Sequence, residues 1–334
     1  MHANQLIHPR DGGIWCPLGG FHIDPARPVD RAIVTHGHAD HCRPGHKALL
    51  ATPETAEIAR VRFGENAFGS IQELPYGEKL RIGEVDVTLV PSGHVLGAAQ
   101  VVIEAGGARA IVSGDYKRQP DPTCRDFELV PCDLFVTEAT FGLPVFRHPP
   151  VQDEIGRLLS SIATFPDRTH AVGAYALGKA QRLIVEMRRA GYDRTIWLHG
   201  ALDKLCGAYQ RLGVDLGPLG KATAAAGPEL AGEVVIAPPG ALADRWARRL
   251  RQPLIVAASG WMRVRQRAKQ RGAELALVIS DHADWDDLKR TVKETGASEV
   301  WVTHGAEEAL VHWCREQGIA SQALSLVGRG EEEA

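Results

Sequence analysis

The string Thr35-His-Gly-His-Ala-Asp-His41 constrains this chain more than any other feature. It follows a β-branched run at 31–35, so it reads as a turn leaving the C-terminal end of a buried strand. His36, His38, Asp40 and His41 place four metal-type donors within six residues. On such a turn His36 and His38 can share one metal ion while Asp40 and His41 face a second. Imidazole nitrogen and carboxylate oxygen are the donors of catalytic zinc, which keeps a position open for water. A lone histidine pair would read as a solvated loop or a structural zinc. Four donors in this order point to a catalytic centre.

Further donors sit at the same kind of place. Pro91-Ser-Gly-His94 follows a run ending at Val90, Ser113-Gly-Asp115 one ending at Val112, and Thr303-His304-Gly one ending at Val302. Taken singly, each is more often a capping or packing residue. Together they give two metals complete shells with one shared carboxylate. Two metals about 3.5–4 Å apart can hold a bridging hydroxide and stabilise both oxygens of an in-line displacement.

The remaining apolar runs, at 133–137, 195–198, 253–257, 276–280 and 299–303, alternate with helical patterns. Those patterns lie near 52–62, 151–164, 178–190, 241–250, 284–295 and 306–317, which predicts an α/β fold with helix-covered sheets. The 334 residues suffice for one large domain or two ordinary ones. Donor clusters flank the segment 146–252 on both sides and are missing within it, and 217–232 is loose and rich in Ala, Gly and Pro. The expectation is an inserted domain at 146–252, with 1–145 and 253–334 folding together. The acidic tail at 331–334 reads as frayed.

Composition bounds the function classes. Apolar residues make up 44% and charged residues 24%, as in ordinary soluble proteins. The formal net charge of −3 lacks the basic balance common in nucleic-acid proteins, so any steering of a polyanion must come from local placement. The six cysteines form no CxxC pair, which argues against a disulfide framework or a thiolate zinc site. No basic-then-apolar leader opens the chain and no apolar run approaches a membrane span of roughly 18 residues. The expectation is a cytoplasmic protein with no membrane partner.

The HxHxDH string, the later Gly-His and Gly-Asp turns and their order resemble the metallo-β-lactamase superfamily. That resemblance implies an αββα sandwich. It also implies that His36, His38 and His94 bind the first of two Zn²⁺ ions and Asp40, His41 and His304 the second. Asp115 would bridge them, and Asp24, in Phe21-His-Ile-Asp24, would orient ligands from behind. Manganese is the other metal these donors accept.

The second half resembles the β-CASP nuclease branch of that superfamily. Thr137-Glu-Ala-Thr140 is similar to its first extra motif, with Glu138 as the acidic residue. Ser280-Asp-His-Ala-Asp284 is similar to its second, with His282 as the histidine, and His304 stands for the third. Tyr175-Ala-Leu-Gly-Lys-Ala-Gln-Arg182 resembles a helix start in the inserted α/β β-CASP domain. The implied catalytic set is Asp40, Asp115, Glu138 and His282, with a protonated His282 stabilising charge or protonating the leaving oxygen. Asp281 and Asp284 equally fit helix N-caps.

Basic residues cluster at Arg245, Arg248, Arg249 and Arg251, and again at Arg263, Arg265, Arg267, Lys269 and Arg271. An arginine run is as often a solvated face. Beside a phosphodiesterase centre, Lys179, Arg182, Ser259, Gly260 and Arg263 are the candidate phosphate contacts. Trp261 reads as a core or hinge residue rather than a base-stacking one.

Over nearly its full length the chain resembles the bacterial ligase-associated DNA exonucleases, through 23–36 and Val278-Ile-Ser-Asp-His-Ala-Asp-Trp285. That implies a DNA exonuclease in DNA repair, with an ATP-dependent DNA ligase and a helicase as partners. Histidine at 304 is shared with the RNA-cutting branch, including ribonuclease J, where the Artemis-like DNA branch usually carries valine. An RNA exo- or endonuclease is therefore the alternative, ahead of a thioester or lactone hydrolase.

Overall fold

A computed structural model describes residues 2–10, 12–223, 227–250 and 252–324. Arg251 and the acidic tail at 331–334 lie outside the described residues. The chain divides into two compact units, Met1–Val145 with His282–Ala334, and Phe146–Asp281.

In the first unit the described strands form two sheets. One has the spatial order His8–Arg10, Gly13–Cys16, Phe21–Ile23, Arg31–Ile33, Ala48–Ala51, Ile71–Glu73. The other has the order Ala320–Ala323, Glu299–Gly305, Leu134–Ala139, Ala108–Val112, Ala99–Ala105, Val85–Pro91, Lys79–Ile82. The period-two alternation of a strand decides how they pack. Val101, Ile103, Ala110, Val112, Leu134 and Val136 enter one core with Ile14, Phe21, Ile23 and Ile33 of the other sheet. The intervening Val102, Ile111 and Phe135 face away, against Leu288 and Val292 of the helix Trp285–Thr295 and Leu310 and Val311 of Glu307–Glu316. On the far side of the first sheet, Ala32, Val34 and Leu49 pack with Ala59 of the helix Pro53–Phe63. Helix layers thus cover both outer faces of a sheet pair, the αββα sandwich expected.

The helix boundaries follow local chemistry. Thr52 caps Pro53–Phe63, accepting the Thr55 N–H, and proline fills the first helical position. Asp284 caps Trp285–Thr295 through the N–H groups of Asp286 and Asp287, and Gly296 ends it in the left-handed conformation. Asp284 is therefore a helix N-cap, one of the two readings open from the sequence.

The second unit is built on a parallel sheet in the order Leu219–Lys221, Ile196–Leu198, Val234–Ala237, His170–Gly173, Leu254–Ala258, Leu275–Leu277. Helices Val151–Thr164, Lys179–Arg189 and Gly200–Arg211 accompany it. The strand Leu254–Ala258 pairs directly with His170–Gly173. The unit therefore extends to Asp281, past the boundary at 252 expected from the sequence. A continuous apolar run announces a buried strand without telling which sheet receives it. The helix expected at 241–250 is broken into Pro239–Ala243 and a 3-10 turn Arg245–Arg249. Extended Asp244 (φ −99, ψ 179) separates them and its side chain caps the second piece. Among the described residues no helix is long and apolar enough to cross a membrane.

Phe135 is fully buried on the helix side of the seven-stranded sheet. Phe135→Ala is expected to destabilise the protein by about 3–5 kcal/mol, read as a lower urea midpoint at unchanged slope.

Candidate metal centre

Asp24 leaves the strand Phe21–Ile23 with φ 45, a backbone region that aspartate tolerates better than most residues. Its fully buried carboxylate accepts the Thr35 N–H at 2.8 Å, the Thr35 hydroxyl at 2.7 Å and His41 Nδ1 at 2.7 Å. This bond occupies Nδ1 of His41 and leaves Nε2 as the atom that could bind a metal. That nitrogen lies 3.4 Å from Asp40 Oδ2 and 3.3 Å from Asp115 Oδ2. It is buried and satisfies hydrogen-bond geometry with neither. Burial pushes the His41 pKa down, but the carboxylates of Asp40, Asp115 and Asp24 outweigh it and hold it well above its ordinary value. The surroundings of His41 Nε2 thus favour positive charge.

The other side of the centre is made of imidazoles. His38 Nδ1 lies 3.1 Å from His36 Nε2 and 3.0 Å from His94 Nε2, and Asp115 Oδ2 lies 3.4 Å from His36 Nε2. Burial, then the nearby His41, pushes the His36 pKa well below its ordinary value. Burial opposes ionisation of Asp115 as well, but His41 outweighs it and keeps that carboxyl well below its ordinary range. Asp115 Oδ1 is buried and has no hydrogen-bond partner.

The donor atoms fall into overlapping groups within 4.8 Å: His36, His38, His94 and Asp115; His36, Asp40 and His41; and Asp115, Glu138 and His282. Converging imidazole nitrogens around an anionic carboxylate, with His41 Nε2 and Asp115 Oδ1 otherwise unsatisfied, fit divalent cations.

His304 reaches the same region by a bulge. Glu138 pairs with Thr303 and Ala139 with Gly305, so His304 is the extra residue, at φ 64. Its ring stacks 5.1 Å from that of His41, though His304 is not in the close donor groups found among the described residues. A β-carbon on Gly305 would fall 2.2 Å from the Ala139 oxygen, so only glycine lets the strand close after the bulge.

Glu138, with no exposure, receives His282 Nδ1 at 2.9 Å on Oε2 and the Tyr116 N–H at 2.8 Å on Oε1. Burial pushes the Glu138 carboxyl above its ordinary value against the pull of His282. The His282 ring lies 4.7 Å from that of His94. Tyr116 is a supporting residue the sequence reading passed over, although it directly follows Asp115 in a quoted motif. Thr35 is another; it opens the histidine string and bonds Asp24.

The phosphate candidates lie in the second unit. Lys179 and Arg182 are buried at a helix start, 3.8 and 3.4 Å from Asp281, and Arg182 also donates to the Ser280 carbonyl at 2.6 Å. Ser259 is buried and its hydroxyl accepts the Trp261 N–H at the entry to the 3-10 turn Gly260–Arg263. Gly260 is buried there and Arg263 exposed. Trp261 is buried and packs on Phe146, as a core residue would.

Residues 19–158 match the family described as the Beta-lactamase superfamily domain. A "Probable DNA ligase" from Opitutus terrae is 28% identical over 93% of this chain and 30% of its own length. Endoribonuclease YSH1 of Gibberella zeae is 31% identical over 50% of this chain and 22% of its own. A ribonuclease of Thermus thermophilus is 31% identical over 52% and 46% respectively. The chain thus spans less than half the length of these curated relatives. A crystal structure of a protein of unknown function from Enterococcus faecalis V583 shares the fold, with TM-score 0.58 and 15% identity, over 87% of this chain and 78% of that one. Together with the donor geometry, these likenesses support the metallo-β-lactamase superfamily and its β-CASP branch for this chain.

Proposed function

We propose that the chain is a metal-dependent exonuclease that hydrolyses phosphodiester bonds at DNA ends, in DNA repair. The observation that carries this reading is the position of Asp115, a member of both the three-histidine group and the Glu138–His282 group. A pair of that kind suits a reaction with a charged transition state and a poor leaving group. Glu138 orients His282 through Nδ1, so His282 would hold a proton on Nε2 for the leaving oxygen. Glu138 also keeps the resulting imidazolium from being an uncompensated buried charge.

His36, His38 and His94 would hold one cation and Asp40, His41 and His304 a second, with Asp115 between them. Such ions supply Lewis acidity toward phosphoryl oxygens and lower the pKa of a bound water. Zinc is the metal favoured by these nitrogen and oxygen donors, and manganese is the alternative. The Ser259-Gly260 turn and Arg263 would grip the phosphate backbone without reading sequence. Buried Lys179 and Arg182, beside Asp281, would brace that unit.

Similarity across 93% of the chain to part of a protein named as a probable DNA ligase supports DNA ends as substrate and a ligase as partner; a helicase partner and a cytoplasmic location complete the proposal. His304 and the likeness to named endoribonucleases favour the second reading, RNA cleavage by the same centre. A thioester or lactone hydrolase would have no use for Glu138 paired with His282.

End-labelled single-stranded DNA is expected to be degraded with zinc or manganese and spared with a chelator, while RNA of the same sequence persists. Cleavage of RNA alone would move the protein to the second reading. His38→Ala and Asp115→Ala should abolish hydrolysis in folded protein, and wild-type rates in either would sink the assignment. His282→Ala should lower kcat by about 10²–10⁴-fold; a change confined to KM would remove it from the chemical step.

A further inference from the structure

Just after Asp115 in the chain lies an ion pair with no part in the chemistry above. Lys117 and Asp121 are buried to 1% and 2% side-chain exposure, with the ammonium against Asp121 Oδ2. Asp121 Oδ1 accepts the N–H and hydroxyl of Thr123 at 2.8 and 2.7 Å. A buried carboxylate and a buried ammonium in the same turn are costly unless held in one geometry. Together these bonds fix the loop that follows Asp115.

That loop encloses the turn carrying His94. The Lys117 N–H donates to the Ser92 carbonyl at 3.1 Å and the Glu128 N–H to the Pro91 carbonyl at 3.1 Å. Cys124 Sγ donates to the Gly93 carbonyl at 3.6 Å. Gln100 Nε2 joins both sides, reaching the Pro91 carbonyl at 3.1 Å and the Glu128 carbonyl at 2.7 Å. The fit is close: a β-carbon on Gly93 would fall 2.4 Å from the Lys117 oxygen and 3.0 Å from the Phe127 nitrogen. From outside, Arg118 ties the loop to the helix Trp285–Thr295 through Thr291 and Glu294, at 3.0 and 2.7 Å.

We infer that Lys117 and Asp121 are positioning residues for His94, setting the affinity of the cation held by His36, His38 and His94. The inference rests on the two-metal reading of the centre. His94 has its Nε2 3.0 Å from His38 Nδ1, so a small displacement of its turn would open that donor set. His41 is held by Asp24 instead, itself bonded to Thr35, so the second cation should depend on the pair far less.

The test is Zn²⁺ binding by the full chain in competition with a chromophoric chelator, and Co²⁺ absorption as a report of ligand geometry. Wild type should take up two ions. Lys117→Met should weaken one of them about tenfold and alter its Co²⁺ spectrum, leaving the other unchanged. Asp24→Asn should weaken the other ion instead. Lys117→Met combined with Asp121→Asn should lose less than the two single effects multiplied, because each single change strands a charge. If Lys117→Met does not fold, Thr123→Val removes one hydrogen bond to Asp121 and should weaken the same ion by a few-fold. Wild-type affinity for both ions in folded Lys117→Met, or equal loss of both, would overturn the inference. A wild-type protein that takes up no Zn²⁺ would overturn the two-metal reading first, and the inference with it.

Discussion

One carboxylate without exposure, Asp24, ties the end of a central strand at Thr35 to the ring of His41. Burying it would be costly in isolation, and three hydrogen bonds offset that cost. They also convert a rigid sheet edge into a reference frame for the donors. Because His41 donates from Nδ1 to Asp24, its remaining nitrogen has only one direction to face. Asp40 and Asp115 then lie 3.4 and 3.3 Å from His41 Nε2, an arrangement that favours positive charge.

The rest of the sandwich supplies positions. Leu134–Ala139 and Glu299–Gly305 are adjacent parallel strands, so Glu138 and the bulged His304 emerge side by side. Asp115 emerges from the neighbouring strand, and His94 from a turn held by the loop after Asp115. The donors thus sit at the ends of well-packed strands or on short turns just past them, which keeps their separations fixed without using the middle of the core for polar groups.

Much of this was legible in the sequence because metal donors and strand ends are both local signals. The string at 35–41 and the turns at His94, Asp115 and His304 could be placed one by one. Only pairing in space brings Glu138 to His282, and the resemblance to a known branch supplied that link. The end of the insertion was misplaced for a related reason: strand 254–258 looks the same whether it joins one sheet or another. The helix Gly200–Arg211 escaped notice although Leu202, Leu205, Cys206 and Tyr209 keep a helical period, because glycines at 200 and 207 lower its intrinsic propensity. Nothing local in the sequence marks the Lys117–Asp121 pair, since burial of a lysine depends on the loop that closes over it.

The insertion also has a consequence for how the protein is made. Glu138 and His282 meet across 144 residues of chain. At the roughly 5–20 residues per second of synthesis, Glu138 is added to the chain roughly 7–30 s before its histidine exists. Strand Leu134–Ala139 meanwhile lacks Glu299–Gly305, one of its two neighbours in the sheet. The intervening Phe146–Asp281 forms its own compact unit, with a parallel sheet drawn wholly from those residues. Once folded, that segment leaves fewer free residues in the long loop, and the entropy cost of closing the outer sheet falls with the length of loop left free. The outer sheet would then close last, after the inserted segment has folded on its own.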